Sequence, residues 1–349
     1  MILRVLLHVG LLAGVFASAG VALAQSGQMV VDSAGRRVAV PAQVERIYAA
    51  GPPASVVVFA ASPEKLLGWT RAIRPAEAAF LPPRYAALPE LGRLTGRGNT
   101  ANVETILALR PDVIIDVGSI SPTYASLADR VQQQTGIPYL LFDGRFTAIA
   151  GTFRAIGRAT GDLGRAERLA EYSERTLEDV RRRVASVPAQ DSPRVYYGRG
   201  PSGLQTGLAG SINVEILDFL GARNVAAASR GGLVNVSLEQ VITWDPEVII
   251  TTDPHFYRDI WTDERWAGVA AVRARRVHLA PHLPFGWFDF PPGANRLIGL
   301  YWAGRVLYPT AFPDDLRERA KEFFELFYHR RPSNAQLDAL VSEPGVAPR

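Results

Sequence analysis

The sequence contains no cysteine, which excludes disulfide staples, thiolate metal sites and a lipid-bearing thiol. Lysine is almost as scarce, occurring only at Lys65 and Lys321. The 38 basic residues are therefore nearly all arginine, dispersed among 34 acids for a formal net charge of +4. No basic stripe or RNP-like motif gathers them, so a nucleic-acid partner is not expected. Ionised residues are missing altogether from Val5 to Ala24. That run follows the single positive charge of Met1 to Arg4 and closes on the small-x-small box Ala22-Leu23-Ala24, with polar Gln25-Ser26-Gly27 after it. The pattern is an export signal, cleaved after Ala24, which places the mature chain in the periplasm as a soluble protein. No later run is long enough to cross a bilayer core of ~30 Å.

What remains after residues 1–24 is longer than one core usually serves, so two domains are expected. Short apolar runs alternate with helical patterns, the signature of a largely parallel α/β architecture. Strands are expected at Val44 to Ala49, Leu66 to Thr70, Val113 to Val117, Tyr139 to Phe142, Arg194 to Tyr197 and Val248 to Thr251. Helices are expected at Ala54 to Ala61, Asn102 to Leu109, Ala125 to Thr135, Ile212 to Leu220 and Leu238 to Trp244. The two halves resemble each other residue by residue, because Asn102 to Ile115 aligns with Ser237 to Ile250 at an offset of 135. In both copies a polar residue caps a two-turn helix, proline ends it, and a β-branched run enters the sheet. Glu104 then matches Glu239, and Pro111 matches Pro246.

Between the halves, Gly164 to Pro188 carries apolar residues at Leu169, Tyr172, Leu177, Val180, Val184 and Val187. This helical spacing predicts one long connector reaching roughly 36 Å, enough to run along both lobes. A helical connector resists wide hinge closure, so ligand-linked motion should be small. The expected fold is two Rossmann-like lobes joined by one long backbone helix, with a ligand cleft between them. The expected divisions are 1–24 signal, 25–160 N-terminal lobe, 161–188 connecting helix, 189–330 C-terminal lobe and 331–349 C-terminal tail.

In open α/β sheets the ligand crevice lies beyond the carboxyl ends of the strands. The loops there contain Gly51-Pro52-Pro53, Gly96 to Asn99, Gly118 to Tyr124, Asp143-Gly144-Arg145, Tyr197 to Gly203, Asp253 to Tyr257 and His282 to Trp287. Arg97 and Arg199, flanked by glycine, suit an anionic group, and Tyr124, Tyr197, Tyr257, Phe285 and Trp287 suit a flat or chelated organic body. His255 and His282 follow strands and could bond an anion; as metal ligands they would need help from Asp253 or Asp143. No metal site and no cofactor are expected.

Val44 to Gly51, Asn102 to Asp112, Leu217 to Val225 and Val236 to Val241 together resemble the siderophore- and cobalamin-binding family of ABC-importer binding proteins, over about residues 30 to 330. The resemblance implies a monomeric binding protein that hands an iron chelate, heme or corrinoid to an importer permease. It also implies that one acid on each lobe, Glu104 and Glu239, docks onto permease arginines. Molybdate, tungstate or nickel remains an alternative ligand. A secreted hydrolase is the rival class, but Gly-x-Ser-x-Gly, His-Glu-x-x-His and a phosphate-binding loop are all missing, which leaves only an unsupported pairing of Ser202 with His255.

Overall fold

The computed structural model describes residues 27–96 and 98–342. The expected export signal and Arg97 lie outside the described residues. The chain opens with an antiparallel hairpin of β1 (Gln28–Val31) and β2 (Arg37–Val40). Sequence reading missed this hairpin although Val38 and Val40 alternate with exposed Arg37 and Ala39. Its turn is set by Asp32, whose Oδ1 accepts from the Ala34 and Arg36 N–H groups, and by Gly35 at φ +77°, a backbone region open to glycine.

The first half continues through β3 (Ile47–Ala49), α1 (Pro52–Ala61), α2 (Pro75–Ala78), α3 (Pro83–Ala86), α4 (Val103–Leu109), β4 (Val113–Gly118), α5 (Pro122–Thr135), β5 (Tyr139–Asp143) and α6 (Ile149–Thr160). Strands β3, β4 and β5 form one parallel sheet in that order. The strand expected at Leu66 to Thr70 is absent. Leu67 donates to Ile47, while Trp69 pairs with Pro89 and Leu91, so the segment splits its hydrogen bonds between two neighbours and makes no continuous ladder. Gly68 permits this crossing, since a Cβ there would lie 2.5 Å from the Pro89 carbonyl oxygen.

After the long helix α7 (Leu163–Ala185) come β6 (Arg194–Gly198), β7 (Gln205–Gly207), α8 (Glu215–Phe219), β8 (Arg223–Asn224), β9 (Leu233–Asn235), α9 (Leu238–Trp244), β10 (Val248–Thr251), α10 (Pro254–Asp259), α11 (Ala270–Arg273) and β11 (Val277–Leu279). The second sheet has the order β11-β10-β6-β8, all parallel. The helix expected from Ile212 is shortened to α8 because Ser211 and Asn213 fold into a turn: Asn213 N–H donates to Ser211 Oγ at 3.3 Å and Val214 N–H to the Ser211 carbonyl. The chain ends in α12 (Arg296–Leu307), α13 (Leu316–Tyr328) and α14 (Asn334–Val341).

The repeat seen in the sequence is matched in three dimensions. Asn102 accepts from Glu104 N–H at 2.8 Å and Ser237 accepts from Gln240 N–H at 3.2 Å, capping α4 and α9. Each helix ends on a left-handed residue, Arg110 at φ 47° and Asp245 at φ 42°, followed by proline. Each then feeds a strand flanked on both sides, β4 between β3 and β5, and β10 between β6 and β11.

The two sheets are joined through α7, whose 23 residues span about 34 Å. Its early turns pack on α6 so closely that a Cβ on Gly157 would lie 2.3 Å from that of Ala166. Further along, Tyr172 meets Phe323 and Phe327 of α13, and Tyr301 of α12 donates to Asp179 at 3.0 Å. Helix α13 also crosses back to the first half, with Phe324 against Phe80 and Tyr328 against Phe59. One apolar cluster consequently runs through α1, α7, α12 and α13 and serves both lobes.

Candidate functional site

A cleft of about 1030 Å³ opens where the carboxyl ends of the two sheets face each other. It is bounded by Pro52 and Pro53 after β3, Gly118 and Ser119 at the end of β4, Arg199 and Gly200 after β6, Thr252 to Pro254 after β10, and His282, Pro284, Phe285, Asp289 and Phe290 after β11. The loop after β5 is taken up differently. The Gly144 carbonyl accepts from Arg296 Nη2 at 2.7 Å, and Arg296 Nη1 reaches the Ile212 carbonyl and Glu215 at 2.9 and 2.8 Å. This buried guanidinium, stacked over Phe146, ties the two lobes beside the cleft, so Asp143-Gly144-Arg145 serves the junction between them and does not line the cleft.

One wall is cationic. Arg71 and Arg74 both line the cleft and both bind the fully buried carboxylate of Glu77, Arg71 at 2.7 and 2.8 Å and Arg74 Nε at 2.7 Å. Burial alone would raise the Glu77 pKa; the hydrogen bonds from Arg71 and Arg74 outweigh it and hold the carboxyl below its usual range. One anion thus positions two guanidiniums and leaves a positive surplus facing the cleft. Burial, and next the nearby Arg74 charge, push the His282 imidazole down, favouring the neutral ring. Arg93 adds a further cation on the same lobe, its Nε donating to the Gly98 carbonyl at 2.9 Å.

At the end of β4, the buried Asp116 accepts from Thr95 Oγ1 at 3.1 Å, Tyr139 Oη at 3.2 Å and Val117 N–H at 3.0 Å. All three donors are neutral, and burial pushes this carboxyl up to about 6. Burial, with the Asp116 charge second, also raises the Tyr124 phenol.

The opposite lobe is organised around Asp289, which is fully buried and accepts from Tyr197 Oη at 2.9 Å, Arg199 Nε at 2.8 Å and Asn213 Nδ2 at 2.9 Å. Arg199 has a side chain only 6% exposed, and its guanidinium lies 4.2 Å from the ring centroid of Phe290. Phe290 is 56% exposed and sits at φ 58°, a conformation rare for a bulky L-residue. Such strain persists where surrounding structure over-determines it, and here Arg199 backs the ring while its outer face meets the cleft.

Of the residues expected at the site, Tyr124, Arg199, His282 and Phe285 line the cleft. Four others do not. Tyr197 is sealed behind Asp289, with burial and then the Asp289 charge raising its phenol well above the usual value. Trp287 is fully buried in the core. His255 and Tyr257 lie along α10, His255 exposed near Arg258 and Tyr257 edge-on to Trp261. Asp253 borders the cleft, but its Oδ1 caps α10 by accepting from His255 and Phe256 N–H groups. Among the described residues no group of three or more His, Cys, Asp or Glu is placed to hold a metal ion. Sequence reading overlooked Trp69, Arg71, Arg74, Arg93, Asp116, Asp289 and Phe290. Phe290 between Asp289 and Pro291-Pro292 was a legible signal, because such a run presents a stiff, exposed loop.

Glu104 and Glu239 are both exposed, each the second residue of its repeat helix. The Glu239 carboxyl is held low by its own backbone N–H and by the Ser237 hydroxyl, so it is ionised near neutral pH.

A family model described as periplasmic binding protein matches residues 65–282. A molybdate-binding protein, MolA of Haemophilus influenzae, is 29% identical over 283 residues, 71% of this chain and 76% of that protein. The vitamin B12-binding protein of Vibrio parahaemolyticus is 26% identical over 210 residues, 60% of this chain and 71% of that one. Among solved structures, an ABC transporter solute binding protein from Sulfurospirillum deleyianum superimposes with a TM-score of 0.80 at 32% identity, covering 89% of this chain and 98% of that chain.

Proposed function

The chain belongs to the periplasmic binding protein family, and from that premise we propose that it carries an organic metal chelate, such as a ferric siderophore, heme or corrinoid, to an ABC importer. The supporting observation is the cleft itself. Its volume of about 1030 Å³ is walled by Trp69, Phe285, Phe290 and several prolines, with Arg71, Arg74 and Arg93 on one side. Sites for drug-sized ligands are typically ~300–1,000 Å³ and largely apolar, with a few polar groups fixing orientation. A chelate with an aromatic or macrocyclic body would lie on Phe290 and turn anionic groups toward the arginines. In this reading residues 1–24 are the export signal, 25–160 and 189–330 are the lobes, and 161–188 is the connector. Glu104 and Glu239 meet cationic sites on the permease.

A bare oxyanion is the second reading, favoured by the Haemophilus relative named for molybdate. A tetrahedral ion on the arginine wall would leave most of the cleft to water. Calorimetry and thermal melting of the mature protein with a ferric tris-catecholate, heme, cobalamin, sodium molybdate and nickel chloride separate the two. One of the chelates should stabilise the fold by about 2.7 kcal/mol at a hundredfold excess over Kd, and Phe290→Ala should weaken that chelate about tenfold. Stabilisation by molybdate or nickel alone, with every chelate inert, would overturn the proposal.

A further inference from the structure

Few large apolar side chains stand exposed among the described residues, and two of them are Leu107 at 42% and Ile242 at 43%. Their numbers differ by 135, the offset of the internal repeat. Each lies three residues after the matching acid, Glu104 or Glu239, and side chains three apart share one helix face. Single exposed leucines need no explanation; the same exposure at both copies of a repeat does. The packing of the helices does not require it, because Ile106 and Val241 supply the buried contacts of α4 and α9. What the repeat has retained on the outside is therefore a pair of matching patches, each an acid beside a bare aliphatic side chain.

We infer that Leu107 and Ile242 are the apolar half of the permease-docking surface, each entering a socket next to the cation that meets Glu104 or Glu239. This rests on the docking reading given above for the two acids. A partner that engages both patches alike must present two equivalent sockets, as two copies of one membrane subunit would, each apolar at its centre with an arginine or lysine at its rim. The division of labour follows from the chemistry: the acids steer and orient the encounter, and the desolvated aliphatic groups hold it.

The test uses the full mature protein and the cognate permease–ATPase complex in lipid nanodiscs, with binding followed by biolayer interferometry. Leu107→Ser and Ile242→Ser should each weaken binding about tenfold through faster dissociation, and the double variant should lose about a hundredfold if the patches act independently. Melting temperatures and the oligomeric state should not change. Glu104→Arg with Glu239→Arg is run alongside. If charge reversal abolishes binding while the serine variants bind like the parent, the apolar half of the surface is refuted and the electrostatic reading stands. If the serine variants weaken binding and charge reversal does not, the apolar contact stands without the acids. If neither pair matters, both readings fail. A shift from dimer to monomer in the serine variants would assign the patches to self-association and overturn the inference.

Discussion

A carboxyl group surrounded by neutral donors keeps its proton longer than one in water, and Asp116 shows what that costs the folded state. Its pKa rises from an ordinary 3.8 to about 6 because burial disfavours the anion more than Thr95, Tyr139 and Val117 N–H favour it. The folded protein therefore binds this proton more tightly than the unfolded chain does. The resulting stabilisation is complete below pH 3.8 and is lost as pH rises through about 6, a change of about 3 kcal/mol. Asp116→Asn has no such titration. The urea stability of the variant minus that of the parent should therefore increase by up to about 3 kcal/mol between pH 4 and pH 7.5. A difference that stays flat would mean that Asp116 remains ionised in a wetter site. Little of this residue-scale chemistry was legible in advance. Arg199 announced itself by its glycines, but its partner Asp289 lies 90 residues further along the chain, so nothing local reveals that its charge is already matched. Arg71 and Arg74 likewise gave no local sign of themselves, because their placement at the cleft depends on Glu77 being buried beneath them.

Elements were far easier to read than contacts. The capped helix, left-handed stop, proline and β-branched strand form a local code, and both copies of it fold as expected. The second-half helix Leu238–Trp244 and strand Val248–Thr251 match their expected bounds. The failures had separate causes: the β1–β2 hairpin was overlooked despite its local alternation, the Ser211 turn displaced the start of the helix expected from Ile212, and the Leu66 to Thr70 segment divides its bonds between two partners. The caps provide a quantitative check on the repeat. Asn102→Ala and Ser237→Ala each remove one side-chain acceptor from a helix start, and each should cost about 1 kcal/mol. The two caps start helices that feed different sheets, and they bind different N–H groups, so the double variant should lose the sum of the single losses to within about 0.5 kcal/mol in urea titrations. A large loss at one site alone would show that the two helices carry unequal loads despite their matching sequences.

For the molecule as a whole, the question is how far the lobes can move. A pair of domains on an extended linker closes by rotation about a few free dihedrals. Here α7 runs between the sheets as a single helix, α13 returns from the second lobe to pack on α1, and the apolar cluster passes through both. Arg296 adds a polar tie, reaching Gly144 on one side and Ile212 and Glu215 on the other. Opening the cleft widely would strip buried guanidinium bonds and expose core rings at once, so the low-energy motion is a small shear at the cleft mouth. The mature protein should have a radius of gyration near ~20 Å, and saturation with its ligand should change that value by less than about 1 Å in small-angle scattering. Arg296→Met removes the tie while keeping the side chain's apolar bulk over Phe146. It should leave the fold intact and enlarge the ligand-linked change beyond that of the parent. A contraction of several ångströms in the parent protein would mean that the helical spine bends, and the small-shear account of ligand capture would have to be given up.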